Sequence, residues 1–247
     1  MKNNKKFILA AGAAALGLVA ATGVTSGFAW FAVNNTISLT GLAVTANADQ
    51  SYLLIEEARD FTLATMQAAP ATYSSASFSP ASKDLMPVTI KTSVTPLTID
   101  NLDDADSWEY RTSTNPAESQ PTTNAATTVP EDDYAKYVAR YDFTIGLATN
   151  TAACSLKVSN VTFTMADGAQ AKKGLTIVLA TETVGYKFAY GVAFAEQTLV
   201  NNLTEADAIN LSAYVYIDGT NEEVTSNNRL LLDGTIGFTL STAAVVA

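Results

Sequence analysis

Asp103, Asp104 and Asp106, with Glu131, Asp132 and Asp133 at the far end of the same acidic stretch, have side chains able to ligate a hard cation. Calcium is the ion that oxygen-rich loops suit. Their spacing matches no EF-hand loop, and the same residues also read as a solvated, charged surface. No metal is therefore assigned, and Asp103, Asp104 and Asp106 stand only as calcium candidates. Glu56, Glu57 and Asp60 form a second carboxylate set, but no opposing carboxylate is positioned to complete an acid–base pair.

The chain contains no histidine. That excludes Ser-His-Asp and Cys-His nucleophile pairs, HExxH zinc sites and any imidazole base. A paired-carboxylate glycosidase is the main hydrolase class left, and no catalytic residue or cofactor is assigned. Tyr186, Phe188, Tyr190 and Phe194 recur along one strand face. Such a row serves as a sugar platform or a subunit contact, but aromatic side chains on a pleated face more commonly form core. Cys154 is the single cysteine, so no intramolecular disulfide exists. It enters a strand pattern and reads as a small buried hydrophobe.

These residues sit in a chain of 247 positions with 24 acidic and 14 basic side chains, a formal charge of −10. A nucleic-acid or teichoic-acid partner would be repelled by that balance. Lys2, Lys5 and Lys6 form a basic start, and the stretch from Phe7 to Val24 is apolar but built largely of Ala and Gly. Gly27 and Ala29 put small residues where a signal peptidase reads them. Residues 1–29 are therefore predicted to be a secretory signal peptide. The competing reading is a retained anchor, which needs roughly 20 apolar residues. The rest of the chain is expected outside the cell or on its surface.

After the leader, strand patterns dominate. "YAKYVARYDFTIGLAT" places Tyr137, Ala139, Tyr141, Phe143 and Ile145 on one face and Lys136, Arg140 and Asp142 on the other. "CSLKVSNVTFTMA" alternates too, with a slip at Ser159-Asn160 that predicts a bulge. "KDLMPVTIKTSVTPLTI" reads as a strand bounded by Pro87 and Pro96. "GLTIVLATETVGYKFAYGVAF" is apolar enough for a central strand or a pair, and "SAYVYIDG" and "LDGTIGFTLST" read as closing strands. Residues 100–133, "DNLDDADSWEYRTSTNPAESQPTTNAATTVPEDD", have the composition of a long, partly disordered surface loop. The predicted fold is all-β, an antiparallel β-sandwich of jelly-roll or immunoglobulin-like kind carrying that one acidic loop.

The start of the exported chain is unusual. In "WFAVNNTISLTGLAVTA" the apolar face carries Ile37 and Leu39 before Gly41, and Leu42 and Val44 after it lie in the other phase. A flip at a glycine marks a bulge or hinge. Residues 30–41 are read as a separate extended segment hinged at Gly41, and residues 42–247 as the domain. Burying Trp30, Phe31, Val33, Ile37 and Leu39 at ~1.5–3 kcal/mol each would yield on the order of 10 kcal/mol before association costs. Donated to an open sheet edge of a neighbouring copy, these residues would form a subunit interface by strand addition.

The run "AALGLVAATGVTSGFAWFAVNNTISLTGLAVTAN" resembles the leader and mature start of the TasA/camelysin family of exported bacterial proteins. The tail "AYVYIDGTNEEVTSNNRLLLDGTIGFTL" resembles its closing strands. The resemblance implies a jelly-roll subunit, exported, cut by a signal peptidase and polymerised with itself into biofilm-matrix fibres, in contact with the cell envelope or other matrix proteins. Two features depart from the family: Gly41-Leu42-Ala43-Val44 replaces its Gly-Thr-Leu-Asp-Leu opening, and the acidic stretch is foreign to it. The protease activity in camelysin's name is not carried over, because a histidine-built zinc mechanism cannot operate here. The alternative function is a monomeric surface adhesin or glycan-binding module.

Overall fold

β-branched and aromatic residues favour strands because they pack well on a pleated surface. In the computed structural model, residues 37–47, 53–68, 76–78, 83–112 and 125–245 are described. Residues 1–29, predicted to be a signal peptide, and Trp30, Phe31 and Val33 lie outside them. The first elements are β1 (Ile37–Asn47), β2 (Leu53–Glu56), α1 (Leu63–Ala68), β3 (Ala76–Phe78), β4 (Lys83–Leu85), β5 (Thr89–Ile90) and α2 (Ile99–Asp103). Next come β6 (Trp108–Tyr110), β7 (Thr127–Thr128), β8 (Val138–Leu147), β9 (Cys154–Met165) and β10 (Leu175–Ala180). β11 (Gly185–Ala189), β12 (Gln197–Leu203), β13 (Ala208–Ile217) and β14 (Gly234–Ala244) complete the set. No helix among the described residues is long and apolar enough to cross a membrane.

The strands form an all-β, mostly antiparallel structure. One sheet runs β12-β9-β14-β1-β3, with β4 also on β1; a second runs β11-β10-β13-β8-β2. Both feed one buried cluster: Leu156, Val158, Ile236, Phe238 and Leu240 from the first sheet, and Phe143, Ile145, Ile177, Leu179 and Val215 from the second. Phe143 meets Phe238 edge-on across it, centroids 6.0 Å apart, in a geometry aromatic pairs favour. The slip at Ser159-Asn160 is real: Thr239 faces Asn160 but Leu240 faces Val158, so β9 carries one extra residue there.

The acidic stretch corrects the prediction. Instead of a surface loop over 100–133, its described residues fold into α2, a 3-10 turn at Ala105–Ser107, β6, β7 and a 3-10 turn at Glu131–Lys136. β5, β6 and β7 form a small third sheet. These elements cover the outer face of the second sheet, where Ile99, Leu102, Trp108, Val129 and Tyr137 pack with Val138, Val178, Ala180, Tyr214 and Tyr216. Trp108 is fully buried. Its indole N–H donates to Leu102 O at 3.0 Å, and the Tyr134 hydroxyl donates to the same carbonyl at 2.8 Å. A few large apolar side chains spaced through a polar stretch are enough to dock it. Average composition conceals them. With both faces covered, β10 is buried at every residue.

Candidate functional site

β1 is where the amino-terminal part of the described chain enters the sheet. It runs parallel to β14, with Leu39 opposite Gly234 and then Leu42 opposite Ile236 through Asn47 opposite Ser241. Three steps along β1 thus match two along β14, so the extra residue falls at Thr40-Gly41. The flip at Gly41 is therefore a bulge within one continuous strand. Ile37 and Leu39, assigned to a segment separate from the domain, instead lie in β1 and pair within their own chain: Ile37 opposite Leu85, Ser38 opposite Asp84 and Leu39 opposite Lys83 of β4. The boundary at residue 41 moves accordingly. Beyond the bulge, Leu42, Ala43 and Val44 face Phe78, Ser77 and Ala76 of β3. The physical reason is proximity: an edge of the same molecule is available at high effective concentration.

Asp103 is engaged by basic and hydroxyl side chains. Asp103 accepts hydrogen bonds from the Arg59 guanidinium, from Tyr214 Oη at 2.7 Å and from Arg140 Nη1 at 3.1 Å. Asp104 is used locally, accepting the Asp106 backbone N–H at 2.8 Å. No group of three or more His, Cys, Asp or Glu among the described residues has a metal-holding arrangement. Of the three calcium candidates, Asp103 has its charge compensated by Arg59 and Arg140. Asp103, Asp104 and Asp106 together line a depression of about 420 Å3 with Thr128, Pro130 and Glu131.

What the carboxylate does build is a polar clamp that the linear reading missed. β8 and β13 set Asp142 opposite Ser212 and Arg140 opposite Tyr214. Arg59 lies over them, donating to Ser212 Oγ and sitting 2.9 Å from Asp142 Oδ1. Arg140 and Asp142 on one face of β8 were the available signal; Arg59 and Asp103 come from distant segments. Burial alone raises the Asp103 carboxyl, but hydrogen bonds from Arg59 and Tyr214, with the charges of Arg59 and Arg140, outweigh it and hold the group below its ordinary value. A carboxylate depressed on folding stabilises the protein above its unfolded pKa, and that contribution disappears as pH falls through the folded one. Asp103→Asn is therefore expected to cost about 2 kcal/mol at neutral pH, with the gap to wild type closing below about pH 4. Urea titrations across pH 2.5–7 check this; a gap that does not narrow in acid would contradict it.

The other carboxylate set is equally local. The Asn210 amide nitrogen donates to Asp60 Oδ1 and to Glu182 Oε1, both at 2.9 Å, so it occupies the space between these two exposed carboxylates. Glu56 closes β2 opposite Thr144 of β8. The aromatic row packs against the shared cluster: Phe188 stacks on Phe194 with centroids 5.8 Å apart, Tyr190 leans on Phe163, and the Tyr186 hydroxyl donates to Thr198 O at 3.0 Å. Cys154 is buried, as expected.

No protein-family model, curated protein or solved structure matches the chain. The strongest features in hand are therefore the seat of β1 between β14 and the two short strands β3 and β4, and the arginine–carboxylate clamp.

Proposed function

We propose that the protein is a non-enzymatic structural subunit of an extracellular filament in a biofilm matrix, exported by its leader and assembled by exchanging its amino-terminal strand between copies. The fold in this reading is a jelly-roll-like sandwich, as the resemblance to the TasA/camelysin family implies. The observation that carries the reading is the parallel pairing of β1 with β14. A parallel strand is not an arm of a tight hairpin, so its place is one that a strand from elsewhere can fill. If β1 leaves, β14 presents an open edge over a core that holds Ile236, Phe238 and Leu240.

The same backbone bonds form whether β1 comes from its own chain or from a neighbour. The free-energy difference then lies mainly in the connecting residues and in concentration, as in domain swapping. Because each copy gives one strand and accepts one, a geometry that does not close grows into a fibre. Negative-stain micrographs test this. Filaments are expected from the full chain at rising concentration and not from a chain lacking residues 30–47; filaments from the shortened chain would overturn the proposal.

A further inference from the structure

We infer that β3 and β4 retain β1 in its own chain and thereby set the rate at which a second copy can exchange strands with it. The inference rests on the strand-exchange reading above and adds its regulation. On its inner side β1 pairs with β14. On its outer side it pairs with β4 over Ile37–Leu39 and with β3 over Leu42–Val44. The two outer ladders stand on either side of Thr40-Gly41, where the inner register slips. Each outer strand has only three residues.

β4 is itself well anchored. Leu85 is fully buried in the shared cluster, the Met86 N–H donates to Lys136 O at 2.8 Å, and the Val88 N–H donates to Ile217 O at 2.9 Å. To leave, β1 must break both outer ladders as well as the inner one.

The other sheet ends offer poor alternatives. β12, at the opposite end of the first sheet, has two register shifts against β9 and exposes Asn201 and Asn202. β2 and β11, at the ends of the second sheet, have four and five residues. Irregular or short edges are weak templates for strand addition. Exchange is thereby directed to the seat of β1, and β3 with β4 hold its outer side closed.

The test uses the purified full chain and a fluorescent peptide of residues 37–47, ISLTGLAVTAN, with uptake followed by anisotropy. Successive N–H groups of a strand point alternately to the two sides. Of Ala76→Pro and Ser77→Pro, one therefore removes a bond to β1, and the other removes an N–H that faces away and serves as its control. Proline is tolerated at sheet edges, so both variants are expected to fold. One should take up peptide about fivefold faster than wild type, the loss of one backbone hydrogen bond, and the other at the wild-type rate.

Uptake at one rate in all three proteins overturns the inference, as does no uptake by any of them. Faster uptake without filaments in micrographs upholds the retaining role of β3 and β4 and overturns the filament reading instead.

Discussion

A chain carrying Thr45→Cys and Thr239→Cys is expected to stay monomeric when oxidised and to form filaments once reduced. Thr45 lies opposite Thr239 in the parallel β1–β14 ladder. Neighbouring strands lie about 4.8 Å apart, inside the roughly 4.4–6.8 Å range of Cα separations that a disulfide spans. The native thiol does not compete, because Cys154 is only 2% exposed. An oxidised bond fixes β1 to its own β14 and forbids donation, while leaving the folded subunit intact. The effect is all-or-none in micrographs, and each single-cysteine variant serves as a control. Filaments from protein oxidised as the monomer, its disulfide shown to be intramolecular by non-reducing electrophoresis, would exclude exchange of this strand. This test does not depend on whether a truncated chain folds.

The second large effect is at Trp108. Trp108→Ala is expected to lower stability by about 3–5 kcal/mol, the usual cost of emptying a large aromatic site. The indole is fully buried, stands edge-on to Tyr216 at 5.0 Å and to Tyr134 at 6.2 Å, and donates to Leu102 O. Its loss removes the central contact between the acidic stretch and the second sheet. Urea unfolding followed by circular dichroism measures it. A surface loop would give a change within about 0.5 kcal/mol, so a small value would restore the loop reading that the fold replaces.

Much of the framework was readable from alternation alone. Ala139, Tyr141, Phe143 and Ile145 face the shared cluster as their spacing predicts, whereas Tyr137, just before β8, packs in the outer cluster instead, and the bulge in β9 falls at the slip in its pattern. Periodicity reports which face a residue occupies, and it served well where one strand has one buried face. It failed where burial is set from outside the strand. "KDLMPVTIKTSVTPLTI" reads as one strand but yields only β4 and β5, because Pro87 interrupts it and the Met86 and Val88 amides bond to Lys136 and Ile217 instead.

The flip at Gly41 was visible, but a hinge and a bulge change face in the same way, so sequence could not separate them. Nor could it find the clamp: Arg59 meets Asp103 and Ser212 across 44 and 153 positions of chain. Neither separation leaves a periodic trace.

The parallel setting of β1 against β14 also has a mechanical consequence. Tension that draws the start of β1 one way and the end of β14 the other slides the two strands lengthwise past each other. The hydrogen bonds between them then share the load together instead of peeling apart one by one from an end. If linked copies hold the same arrangement, a fibre pulled along its length would meet this shear resistance at every joint.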